Sequence, residues 1–169
     1  MKALFSLIVA ACISLAFLSP ERLAMDSPDK AFALKAADGG MAEVMLGSLA
    51  EKNGGSPKVK EFGKMMVKDH TKVNDELKAV AKTKQIMLPA KLSGAKQADY
   101  DKLASLKGDQ FDKAYMDKMV SSHLETIALF QAEATNGEDP ELKKWAEAKL
   151  PALKHHLEMA KMNVAGRKK

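Results

Sequence analysis

The sequence predicts an all-α fold: a four-helix bundle of the ferritin-like, up-down-down-up kind, with a long crossover between the second and third helices. Three observations predict it. Apolar residues recur with the helical period of about 3.6 residues over long stretches, and no window alternates as a strand would. Proline after a capping residue opens three of these stretches, and glycine closes the stretches before them. The two outer connections are tight, whereas the middle one is long.

Each element follows from its ends. Ser27-Pro28 opens the first helix, which runs to about Asn53 and stops at Gly54-Gly55. Ser56-Pro57 opens the second, which runs to about Lys84. Pro89 and Ser93-Gly94 mark the connection, with a short helical piece at Gln97–Leu106. Gly108-Asp109 starts the third long helix, broken at Asn136-Gly137. Asp139-Pro140 opens the fourth, which ends near Val164, and Pro151 inside it is expected to kink it. A helix of roughly 26 residues is about 39 Å long. A connection of about 24 residues can return along that length, which permits the single long crossover.

Residues 1–24 read as a targeting segment, 28–164 as the bundle and 165–169 as a basic tail. Lys2 precedes an apolar run from Ala3 to Leu18, the pattern of a secretory signal. Three processing routes compete. Val9-Ala10-Ala11-Cys12 resembles a lipoprotein box with Cys12 as the lipidated residue, Ser14-Leu15-Ala16 offers an ordinary cleavage site, and the run could stay as an anchor. All three place the domain in the periplasm or cell envelope. Roughly 145 residues would remain, enough for a hydrophobic core without disulfides.

Composition narrows the function classes. Cys12 is the only cysteine, so the bundle has no thiolate metal site and no cysteine nucleophile. The net charge of +5 comes from lysines scattered over helix faces, without arginine blocks or interleaved aromatics. That pattern excludes nucleic acid as the expected partner and favours contact with anionic lipid head groups. Protein partners are not legible, and the oligomeric state stays open, a homo-oligomer included.

The polar residues near the predicted core carry the chemical interest. On the second helix Phe62, Met66, Val73, Leu77 and Val80 form one stripe, and His70 lies roughly 55° from its centre. On the third, Tyr115, Met119, Thr126 and Phe130 form the stripe, with His123 roughly 50° away. On the fourth, Leu142, Ala146, Leu153, Leu157 and Ala160 form it; His156 sits at its edge, His155 points to solvent, and Lys149 interrupts it. Edge positions allow partial exposure of the histidines. The first helix has a small inner face of Ala36, Gly40, Gly47 and Ala50, with Glu43 near its middle. Each long helix thus offers one candidate ligand near mid-bundle: Glu43, His70, His123 and His156.

Such a set would suit one Zn, Fe or Cu ion. Asp69, Met66 and Met119 are additional candidates, the methionines for Cu(I). A carboxylate-bridged di-iron pair is disfavoured, because no Glu-x-x-His motif occurs. The other reading is structural: Glu43 with His70 and His123 forms a buried hydrogen-bond network that fixes helix register, and the methionines fill the core. No nucleophile elbow, phosphate loop or His-Glu-x-x-His motif points to a hydrolase, and an enzyme is not the expected reading. An oxidoreductase would need an open coordination position and a substrate channel, which the sequence does not display.

Several motifs agree in order with one known family. They are Phe32 to Ala50 with Glu43-Val44 and Leu49-Ala50, Val59-Lys60-Glu61-Phe62, and Met66-Val67-Lys68-Asp69-His70. Gly108-Asp109-Gln110-Phe111-Asp112, Tyr115, Met119-Val120 with His123, and Leu150-Pro151 with His156-Leu157 follow. Over residues 28–162 the chain resembles the bacterial domain of unknown function 4142 family. The resemblance implies an exported, ferritin-like bundle in which Glu43, His70, His123 and His156 belong to the family pattern. It brings no established reaction. Members are often labelled outer membrane proteins, but this sequence has no barrel strands.

Overall fold

A computed structural model describes residues 27–166. The targeting segment, Cys12 and residues 167–169 of the predicted tail lie outside the described residues. The described chain is all-α, with five helices: α1 (Pro28–Asn53), α2 (Pro57–Thr83), α3 (Gly94–Ala104), α4 (Gly108–Asn136) and α5 (Pro140–Gly166). Among the described residues the only β-type pairing is one isolated bridge, Gly54 to Gly108.

The helix starts have local causes. Proline at the first position of α1 and α2 supplies a helical φ and lacks an N–H that would have no acceptor there. Ser27 Oγ accepts from Lys30 N at 3.2 Å, and Asp139 Oδ1 accepts from Glu141 N and Leu142 N at 3.0 and 2.9 Å. The short helix α3 begins at Gly94, three residues before its predicted start. Ser93, its cap, is fixed by a tertiary contact: its N–H and hydroxyl donate to the two oxygens of Asp38 on α1 at 2.9 and 2.7 Å. At the other end of the crossover, Asn53 Nδ2 donates to Leu106 O at 3.1 Å. The crossover therefore runs back along α1. Helix α5 continues through Pro151, which is exposed.

Helix α1 packs along α2 and α4 along α5, and the two pairs meet through α1 with α4 and α2 with α5. Two carboxylates tie the ends. Asp112 near the start of α4 accepts from the N–H groups of Gly55 and Ser56 in the α1–α2 turn, at 2.9 and 2.8 Å. Asp29 at the start of α1 accepts from those of Glu138 and Asp139 in the α4–α5 turn, at 2.9 and 2.7 Å. The small face of α1 does what small residues predict: a Cβ on Gly47 would come within 2.8 Å of Gly63 O, so these two helices touch backbone to backbone there.

The apolar core has two parts. One holds Phe32, Leu77, Phe130, Leu142, Trp145 and Leu153, with Phe32 edge-on to Phe130 at 5.1 Å between ring centroids. The other holds Leu46, Phe62, Met66, Tyr115, Met119 and Ala160. Full burial of one such large side chain is worth about 1.5–3 kcal/mol. Every long helix buries a polar residue near its middle, and these form a layer: Glu43, His70, Ser122 with His123, and His156. No helix of the described residues is long and apolar enough to cross a membrane.

Candidate metal centre

The polar layer is fully buried. Glu43, His70, Ser122, His123 and His156 retain 5%, 4%, 4%, 1% and 3% of their exposure. The stripe-edge positions allowed more. A single stripe describes packing against one neighbour, whereas each long helix here packs against at least two, which widens the buried face. His155 is exposed, as its angle predicts.

The three buried histidines form a nearly equilateral triangle. Ring centroids of His70–His123, His70–His156 and His123–His156 are 5.8, 5.4 and 5.6 Å apart. One nitrogen from each ring lies within 4.8 Å of the other two. Nitrogens held by one ion at about 2.0–2.1 Å lie roughly 3.3–3.6 Å apart, so small side-chain rotations bring the rings to a common centre.

The outer hydrogen bonds fix which nitrogens carry protons. His123 Nδ1 lies 2.9 Å from Met119 O, a carbonyl that only accepts, so Nδ1 donates and Nε2 keeps its lone pair. His156 Nε2 lies 3.0 Å from Asp69 Oδ2 and donates to it, which leaves the Nδ1 lone pair. His123 Nε2, His156 Nδ1 and His70 Nε2 are all buried without a hydrogen-bond partner. Burial, with the neighbouring His123 and His156, pushes the His70 pKa down to about 3. Burial also lowers that of His156, opposed by Asp69. Each of the three rings thus holds one buried nitrogen with no hydrogen-bond partner facing it.

The remaining candidates fall around this triangle. Glu43 is not among the nitrogens grouped within 4.8 Å; its Oε1 accepts from Ser122 Oγ at 2.7 Å, and its Oε2 is buried without a partner. Asp69 stands behind His156, with its side chain 40% exposed, and orients that ring. Met66 and Met119 are fully buried in one apolar part of the core, and Met119 serves the layer through its carbonyl. Sequence reasoning missed Ser122. It lies next to His123 in a noted motif, but only the packing of α1 on α4 pairs it with Glu43. The Tyr115 hydroxyl was read as core; it too is buried without a partner, and burial with Glu43 and Glu51 nearby raises its pKa. Lys149, the interruption of the α5 stripe, pairs with Glu76 and sits 5.9 Å over the Trp145 ring.

Comparison with known proteins places this arrangement. The family described as Domain of unknown function (DUF4142) matches residues 16–162. The chain belongs to this family. No curated protein matches the DUF4142 chain. Among solved structures it is similar to a DUF305 protein from Streptomyces coelicolor described as secreted, with a TM-score of 0.71 and 15% identity over 84% of this chain and 94% of that one. It is also similar to CopM in the Cu(II)-bound form, with a TM-score of 0.69 and 18% identity over 82% and 96%. For CopM in the Cu(I)-bound form the TM-score is 0.66 and the identity 18%, over 79% and 93%. These likenesses show a shared helical fold.

Proposed function

We propose that the protein binds one transition-metal ion through His70, His123 and His156, with Glu43 beside the ion as a fourth ligand or hydrogen-bond acceptor. One observation carries the reading: three buried imidazoles each bring a ring nitrogen within 4.8 Å of the other two, each holds a nitrogen without a hydrogen-bond partner, and two are braced by a carbonyl and a carboxylate. Imidazole ligands in metal sites are held in this way, because the outer bond fixes tautomer and ring orientation. Imidazole suits Zn, Cu and Fe. The likeness to CopM, solved with Cu(II) and Cu(I), supports copper as the first ion to test. When bound, the ion would supply the positive charge that these lone pairs lack.

The competing network of Glu43 with His70 and His123 has less support. Glu43 Oε2, His70 Nε2 and His123 Nε2 each lack a partner, and an unmade buried bond costs about 1–3 kcal/mol. In our reading the four long helices are a ferritin-like up-down-down-up bundle. The meeting of the α1–α2 turn with the start of α4, and of the α4–α5 turn with the start of α1, supports it. Residues 1–24 then act as the export signal or anchor and the ion is handled in the cell envelope, where the lysine-rich surface can contact anionic lipid. The exported character of the DUF305 relative supports this placement.

The test is elemental analysis of untagged protein equilibrated with Cu(II) or Zn(II) and then dialysed. About one ion per chain is expected, and near none in a His70→Ala/His123→Ala variant. Equal, near-zero metal in both proteins would sink the reading.

A further inference from the structure

A small cavity opens onto the histidine layer from one side. Glu43, His70 and His156 line it from within, and Gly39, Asn74 and Lys149 lie around it. It has a volume of about 50 Å³. One water needs roughly 10–15 Å³, so the space suits a molecule of a few heavy atoms. Its walls are set by the glycines of α1. A Cβ on Gly40 would fall 1.9 Å from Asn74 Oδ1, so the asparagine side chain occupies the place of the missing group. At Gly39 an added Cβ would meet nothing within 4 Å, so this flank is open.

The donor set leaves a role for that space. Three imidazoles are one ligand short of the four that ions of this class take, and a site that keeps such a position open binds an exogenous molecule there. Glu43 lines the cavity, and its Oε2 is buried without a donor. A buried carboxylate oxygen without a donor is costly, and a ligand bearing an N–H or O–H group would satisfy it.

We propose that this cavity is the ligand pocket of the metal centre. A small protic molecule, water in the simplest case, enters past Gly39 and lies beside the imidazole-held ion, donating a hydrogen bond to Glu43 Oε2, while Ser122 fixes the carboxylate from its other oxygen. The inference rests on the metal reading above and assigns Glu43 to the ligand rather than to the ion.

The test uses the full chain loaded with Cu(II) and titrated with azide, a linear three-atom anion, while the azide-to-copper absorption band is recorded. In the native protein the band grows and saturates. Gly39→Leu, which fills the open flank, is expected to hold the same copper stoichiometry and to weaken azide binding about tenfold or more. Glu43→Gln removes an acidic group from beside the anion and is expected to tighten azide binding by about tenfold. An azide-insensitive spectrum in a copper-loaded protein would overturn the pocket and leave the metal reading standing. Equal azide affinity in native protein and Gly39→Leu would overturn the assigned route. A chain that takes up no copper would fail at the earlier step and sink both readings.

Discussion

The middle of the molecule and one of its ends both bury ionisable side chains, and they do so in opposite ways. In the middle, His70 stays unprotonated: its pKa is near 3, and no donor faces its buried Nε2. At the end where α1 starts and α4 stops, Glu133 is 4% exposed and its pKa is pushed up to about 7, first by burial and then by the Asp29 carboxylate beside it. Asp29 is committed to the amides of Glu138 and Asp139. The end has more carboxylate than donors, so it holds a proton. The middle has more lone pairs than protons, so it is suited to a metal cation. Burial alone does not decide which charge a site will take; the hydrogen bonds behind the buried group do.

The contrast has a sign that pH can read. An unfolded histidine takes its proton as pH falls through 6.5, whereas folded His70 refuses it until about 3. Its contribution is present above pH 6.5 and is lost as pH falls toward 3. Unfolded Glu133 loses its proton above 4.5, and the folded chain keeps it until about 7. Its contribution is present below pH 4.5 and is lost as pH rises toward 7. Between pH 4.5 and 6.5 the Glu133 slope opposes that of His70, to which the lowered His156 adds. The metal-free protein should therefore gain stability with pH there more gently than the histidines alone would give.

The largest effect comes from removing one side of that balance. Glu133→Gln keeps a neutral donor against Asp29 but abolishes the opposing slope. As pH falls from 6.5 to 5, the metal-free variant should lose stability in urea unfolding more steeply than the native protein, by up to about 2 kcal/mol over that range. A variant with the same slope as the native protein would show that the two sites are not opposed. Next, His70→Leu removes the other side. At pH 5 it should be more stable than the native metal-free protein by about 1–2 kcal/mol, since apolar groups replace buried polar ones favourably when the fit is good. It should also lose the stabilisation by added Cu(II), which thermal melts with and without chelator would record. The smallest change is Ser122→Ala. It removes the hydrogen bond to Glu43 Oε1 and should cost about 1 kcal/mol. A cost near zero would mean that Glu43 has another donor in solution.

Much of this was legible from residue order. The long helices were readable because Ser27-Pro28, Ser56-Pro57 and Asp139-Pro140 are local signals, as are Gly54-Gly55 and Gly137 before the last two. The start of α3 was misplaced because Ser93 is fixed by Asp38, a contact across 55 residues. His70, His123 and His156 were identified as a set because each long helix offers one candidate ligand near mid-bundle, the histidines at the edges of their apolar stripes. Their depth was underestimated, because a stripe angle records one packing partner. Asp69 could not be assigned from its helical angle; its role appears only where α2 meets α5 and the carboxylate reaches His156. The tautomers of His123 and His156 depend on a carbonyl and a carboxylate, which no spacing rule encodes.

The reciprocal clamps of Asp29 and Asp112 bear on how the chain finds its fold. Each carboxylate holds the turn of the helical hairpin to which it does not belong. Each turn therefore gains its carboxylate partner only when the two hairpins dock. The centre between them is assembled in that same event: two of its imidazoles come from the second hairpin and one from the first, and no half of the chain can present it alone.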